Sequence, residues 1–209
     1  MLQKDIKQVI ISLISELDIY FEENGFLRRS NSLTYIRKLD GVTQKVEIVF
    51  FSNPSYHSGA LAHIYPHIQI YIPSVNGTAK EYASHLIPSK WLDQFTIRQP
   101  IQIYSNSGDF YLVDVNDYES LKNQLLDFFE KNAMTLLDDL TSEKDYLSLY
   151  ENKDKRIIWD DNQYLYIAAA YLNEHELIKA KEVIENRFSK KGLRNKYKEV
   201  FEYFENIEE

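Results

Sequence analysis

Apolar and polar residues alternate with period two on both sides of Asp40-Gly41: Leu33, Tyr35, Arg37 and Leu39 before it, Val42, Gln44, Val46 and Ile48 after it. A dipeptide that tolerates left-handed backbone between two alternating runs predicts a hairpin closed by a two-residue type I′ turn. The register follows. Leu39 faces Val42, Arg37 faces Gln44, Tyr35 faces Val46 and Leu33 faces Ile48, all on one side of the sheet, which is its apolar side. Lys38 with Thr43, Ile36 with Lys45 and Thr34 with Glu47 make the opposite, largely polar face of a sheet buried on one side.

Upstream, Ile6, Val9, Ile10, Leu13, Ile14, Leu17, Tyr20 and Phe21 keep the spacing of one buried helix face. Asn24-Gly25 ends that helix, with Gly25 suited to the left-handed position after the last turn, and Phe26-Leu27-Arg28-Arg29 reads as a short first strand. The run Glu23-Asn24-Gly25-Phe26-Leu27-Arg28-Arg29-Ser30-Asn31-Ser32-Leu33-Thr34-Tyr35 resembles the opening of an uncharacterised bacterial family, domain of unknown function 4304. There a Gly-Phe and basic strand is followed by a short turn and an aromatic-basic strand. The resemblance covers the first two thirds of the chain and implies an α+β domain; it implies no activity and no functional residues.

Ser52 to Gly59 is a run of turn formers and reads as a surface loop. The next strand alternates sharply, with Ala62, Ile64, Ile68, Ile70 and Ile72 on one side and His63, Tyr65, His67, Gln69 and Tyr71 on the other. Pro66 offers no ladder donor, which predicts an edge or a bulge there. Pro73-Ser74-Val75-Asn76-Gly77 ends the strand, and Thr78 to Leu86 is expected to form a short helix. The stretch around Trp91 is ambiguous. Ile97, Ile101 and Ile103 point to another strand, and Asn106 to Asp109 to a turn into Phe110-Tyr111-Leu112-Val113, which extends the sheet to five or six strands.

From Asn116 the period becomes helical and stays so. Asn116 or Asp117 can cap a helix carrying Tyr118, Leu121, Leu125, Phe128 and Phe129 and running on to Leu137 and Leu140. Ser142 with Asp145, and Asp160 with Gln163, have the spacing of capping arrangements for two further helices. Ala168 to Phe188 reads as two helices joined by a tight turn, similar to a single tetratricopeptide hairpin, and a last helix carries Tyr197, Phe201 and Phe204. The expected fold is therefore α+β: an antiparallel sheet domain over 1–115 with an N-terminal helix, and an all-helical segment over 116–209 packed on it.

Composition narrows the function. The 209 residues carry 32 acidic and 24 basic side chains, a net charge of −8, and a field of that sign repels a duplex phosphate backbone while it suits a basic partner. The absence of cysteine removes disulfides, thiolate metal sites and cysteine nucleophiles. No apolar run approaches membrane-spanning length, and the amphipathic start lacks the order of a signal peptide, so a cytoplasmic protein without a membrane partner is expected. No phosphate-cradling glycine pattern or cofactor motif is present. His63 and His67 lie about 13 Å apart on a straight strand, at roughly 3.3 Å per residue, too far to share one ion. A site for a metal, a small molecule or a hydrolytic reaction would have to gather His57, His63 and His67 around the Pro66 bend. Ser55 and Ser58 flank His57 but lack the setting of a nucleophile. The 16 Tyr and 11 Phe favour contact surfaces instead. The expected partner-binding row is His63, Tyr65, His67, Gln69 and Tyr71 with Arg28, Arg29 and Arg37 as a basic spot. The expected function is non-catalytic protein binding, in the manner of an immunity protein that neutralises a basic toxin.

Overall fold

The computed structural model describes residues 3–101, 110–114 and 118–207. Ile103, the Asn106 to Asp109 turn and the Asn116 or Asp117 cap lie outside the described residues. In chain order the elements are α1 (Gln3–Ser15), α2 (Asp18–Glu23), β1 (Leu27–Arg28), β2 (Thr34–Leu39), β3 (Val42–Ser52), β4 (Ala62–Tyr71), α3 (Pro73–Ala83), α4 (Ser89–Leu92), β5 (Ile97–Pro100) and β6 (Phe110–Leu112). Helices complete the chain: α5 (Tyr118–Phe128), a π-helical turn (Phe129–Met134), α6 (Thr135–Asp139), α7 (Glu143–Glu151), α8 (Asp161–Asn173), α9 (Leu177–Phe188), α10 (Lys191–Lys196) and α11 (Lys198–Asn206). The sheet is six-stranded and antiparallel, in the order β1-β2-β3-β4-β5 with β6 also pairing β4, so the expected α+β class with its N-terminal helix and helical C-terminal part is what the chain adopts.

The chain forms two compact units. The first holds α1, α2, β1, β2, nearly all of β3 and β4, and Arg98 to Asp139; the second holds the Asp40–Val42 turn, the segment 70–97 with α3 and α4, and the chain from Leu140 on.

In the first unit the apolar side of the hairpin packs as the alternation requires. Leu33 accepts a backbone hydrogen bond from Ile48 at 2.7 Å, and Tyr35, Gln44, Val46 and Ile48 are buried. The turn is not type I′: Gly41 alone takes positive φ, at 72°, the pattern of a turn that needs left-handed backbone only at its second central residue. The N-terminal helix is also not continuous. Between α1 and α2 the Ile14 carbonyl, which a continuous helix would spend on the Asp18 N–H, accepts from the Tyr35 hydroxyl at 2.5 Å and from the Leu17 N–H at 3.0 Å. The same hydroxyl lies 2.7 Å from Asp18 Oδ1, and its single proton serves both acceptors. Phe21 stacks on Tyr35 at 3.8 Å and meets Phe26 and Phe129 edge-on, a ring core whose loss at Phe21→Ala would cost about 3–5 kcal/mol.

Pro66 lies inside β4, an interior strand, and not at an edge. Its carbonyl accepts from Ile101 N at 3.0 Å, and a strand residue's N and C=O point the same way, so the missing donor faces the point where β5 ends and before β6 takes up the pairing at Ile64 with Phe110. Pro73 likewise does not end the strand in a turn. It opens α3, where its lack of an N–H costs nothing.

In the second unit α8 lies against α3 and α9, and Ala168, Ala169 and Ala170 are fully buried, small enough to let the helices close. The expected caps form: Ser142 accepts from Asp145 N, and Asp160 from Gln163 N. A satisfied polar network threads this core. Asn76 Nδ2 donates to the carbonyls of Leu92 and Phe95 at 2.9 Å, Thr96 Oγ1 to Asn76 Oδ1 at 2.5 Å, Gln163 Nε2 to the Thr96 carbonyl at 2.7 Å, and Tyr146 OH to Gln163 Oε1 at 2.7 Å. No helix of the described residues is long and apolar enough to cross a membrane.

Candidate interaction surface

The outward row of β4 carries His63, Tyr65, His67 and Gln69 in the first unit. Their neighbours come from three other segments. On β3, Phe51 lies 6.3 Å from His63 and 6.5 Å from Tyr65, ring centre to ring centre. From the loop, Tyr56 meets His63 edge-on at 5.7 Å, its hydroxyl 2.7 Å from His63 Nδ1. From β6, Tyr111 is the cross-strand partner of His63 and stacks on it at 4.6 Å, while His57 stacks on Tyr111 at 4.0 Å. Tyr65 touches both His63 and His67 edge-on, at 5.7 and 5.4 Å. The result is one unbroken cluster of tyrosine, phenylalanine and imidazole rings.

Its exposure is graded. His63 and Gln69 are buried, His57, Tyr65, His67 and Tyr111 half-buried, and Phe51 and Tyr56 stand 51% and 63% exposed at its rim. Glu47 closes one margin, taking hydrogen bonds from Gln69 Nε2 and, at 3.2 Å, from Arg98 Nη2. His67 is held below its ordinary pKa by burial and by the Arg98 guanidinium, with Glu47 pulling the other way, so the imidazole is neutral at pH 7.

Arg28 and Arg37 do not join this face. Odd-numbered β2 residues point to the core, and Arg37 spends itself there on Gln44 Oε1 at 2.7 Å, the Asn24 carbonyl at 3.1 Å and Asp138 Oδ1 at 2.8 Å, its guanidinium over Phe26. Gln44 in turn donates to the Leu137 carbonyl in α6. The Arg28 side chain is 3% exposed; it grips Asp18 through two bonds, 2.8 and 2.7 Å, and the carbonyls of Ser30 and Ser32. Burial works against the Asp18 charge, but Arg28 and the Tyr35 hydroxyl outweigh it and hold the carboxyl below its usual range. Both arginines are thus committed to the fold, and Arg29 is exposed. Tyr71 belongs to the second unit, where it is half-buried.

As to chemistry, no group of three His, Asp or Glu able to hold a metal ion exists among the described residues. His57 and His63 are both engaged with Tyr111, and neither Ser55 nor Ser58 hydrogen-bonds His57. What the cluster offers is apolar ring area with polar tips. Phe51, Tyr56 and Tyr111 escape a reading by strand alternation because they come from separate segments. One linear signal does mark them: from Ile48 to Ala79 the sequence holds no Asp, Glu, Lys or Arg, yet it holds three of the five histidines.

Compared with protein-family models, with curated proteins and with solved structures, the chain matches none.

Proposed function

We propose that this is a non-catalytic, cytoplasmic binding protein that forms a stoichiometric complex with another protein through the ring cluster. The observation that carries the reading is the unbroken set of rings from Phe51 to Tyr111 with its exposed rim in a stretch free of formal charge. Aromatic side chains with polar tips and little charge are the composition of interface centres. In its specific form the reading is that of an immunity-type protein neutralising a basic toxin. The net charge of −8 lies outside the cluster, so it would steer such a partner while the rings held it.

The experiment is capture of partners from the native cytoplasm with the tagged protein and with a Phe51→Ala/Tyr65→Ala variant whose melting is unchanged. A stoichiometric partner lost in the variant is the expected result. A partner held equally well by both proteins would remove the ring cluster from the reading.

A further inference from the structure

We propose that Asp40-Gly41 is a covalent modification site, at which the folded chain converts Asp40 spontaneously to isoaspartate through a cyclic imide. The inference is independent of the ring cluster and of any partner bound there.

Three of the six glycines follow an Asn or an Asp, at Asn24-Gly25, Asp40-Gly41 and Asn76-Gly77. Each of these dipeptides carries the same latent reaction, because a glycine nitrogen is crowded by no Cβ and can reach the side-chain carbonyl carbon of the residue before it, closing a five-membered ring. Closure needs that carbonyl group, that nitrogen and the peptide plane between them to be free to move. Two of the sites are not. Asn76 is 1% exposed in α3, its Nδ2 donating to the Leu92 and Phe95 carbonyls and its Oδ1 accepting from the Thr96 hydroxyl. Asn24 gives its Nδ2 to the Tyr20 carbonyl at 2.8 Å, and the Gly25 N–H that would attack it is bonded to the Glu22 carbonyl at 2.9 Å. Asp40-Gly41 is open. Both residues are exposed at the tip joining β2 to β3, and among the described residues neither the Asp40 carboxylate nor the Gly41 N–H makes a hydrogen bond or an ion pair. Gly41 takes φ 72°, and beyond its chain neighbours nothing lies within 4 Å of where a Cβ would stand, so the peptide plane turns without collision.

The chemistry needs only water. The Gly41 nitrogen attacks Cγ of the protonated Asp40 carboxyl; an N–Cγ bond forms, the nitrogen gives up its proton and one carboxyl oxygen leaves as water. A second water then opens the ring. Breaking the N–Cγ bond restores aspartate, whereas breaking the bond from that nitrogen to the Asp40 main-chain carbonyl carbon leaves the chain running through Cβ and Cγ, with the former main-chain carbonyl as a free carboxylate. The product has the same composition and one more methylene in its main chain. That extra length falls in a turn with two residues between the end of β2 at Leu39 and the start of β3 at Val42, so the closing pairs of the hairpin are what it disturbs.

The test ages the full chain near neutral pH, folded in buffer and unfolded in urea, and maps isoaspartate by mass spectrometry with electron-based fragmentation. An Asp40→Asn variant, shown by circular dichroism and melting to be folded, is aged beside it and gives three Asn-Gly sites of equal intrinsic chemistry in one molecule. In wild type, isoaspartate should gather at position 40 in the folded chain. In the folded variant, position 40 should lose ammonia about tenfold or more faster than Asn24 and Asn76, which react only after local opening, while in urea the three should react alike. A folded wild type that forms no isoaspartate at position 40 while the urea sample does, or a folded variant in which position 40 is no faster than Asn24 and Asn76, overturns the proposal.

Discussion

The core of the second unit and the ring cluster of the first use tyrosine in different ways. In the second unit three buried tyrosines carry a hydroxyl to an acceptor, Tyr82 to the Leu165 carbonyl at 2.5 Å, Tyr146 to Gln163 Oε1 at 2.7 Å and Tyr171 to Glu151 Oε1 at 2.9 Å, whereas the buried Tyr166 hydroxyl has none. The Tyr82 and Tyr146 pKa values rise well above the ordinary phenol through burial. In the ring cluster of the first unit the tyrosines meet other rings and are partly exposed, and Tyr56 also turns its hydroxyl to His63 Nδ1. A buried tyrosine whose tip has found an acceptor is held by the fold at both ends, ring and hydroxyl, and a buried hydroxyl without one, as at Tyr166, is costly. A tyrosine whose ring stacks at the surface and whose tip meets water contributes little to stability and is free for contact.

The largest test of that contrast is Tyr146→Ala, which empties a sealed site and leaves Gln163 Oε1 without its donor. It should cost about 3–5 kcal/mol, read from the urea midpoint of unfolding. Arg28→Ala comes next, at about 2 kcal/mol because Asp18 stays partly solvated. It carries a pH signature. Asp18 has its pKa lowered in the folded state, so its contribution is present above about pH 4 and is lost as pH falls through the lowered value. Wild type should therefore lose stability in acid more steeply than Arg28→Ala, and equal acid profiles would contradict the pairing. His175→Gly should move the other way. His175 sits at φ 59° in the left-handed position ending α8, with Glu176 N bonded to the Tyr171 carbonyl, so glycine there should raise stability by about 0.5–1 kcal/mol in the same assay. The smallest effect belongs to the surface: Phe51→Ala with Tyr65→Ala should cost less than Tyr146→Ala alone, and a loss as large would erase the distinction between the two sets of rings.

Legibility in the sequence followed the range of the forces. The hairpin register, the helix end at Gly25, and the Ser142 and Asp160 caps are local, and each stands where alternation or capping chemistry places it. The break after Ser15 is not local: it depends on a hydroxyl from Tyr35, far along the chain. Pro66 could be placed inside a sheet only by knowing that two short strands share one flank of β4. Pro73 was ambiguous in kind, since proline both ends strands and opens helices. Of the surface, the β4 row was readable from its period, whereas Phe51, Tyr56 and Tyr111 needed three segments to meet. Arg37 is instructive in the other direction. The hairpin register already put it beside Gln44 on the core side, and its positive charge alone made it look like surface.

The seam at Pro66 has a consequence for how the sheet opens. Because that residue gives no donor on the flank shared by β5 and β6, the described residues pair along β4 there as two short ladders rather than one long one. Cooperative opening passes through continuous hydrogen bonding, and here it has a built-in stop. The amides on the β6 side, beside His63 and Tyr111, are therefore expected to exchange with solvent deuterium sooner than those bonded to β5, so that the part of the cluster around His63 opens on its own clock while His67 stays with the β5 side.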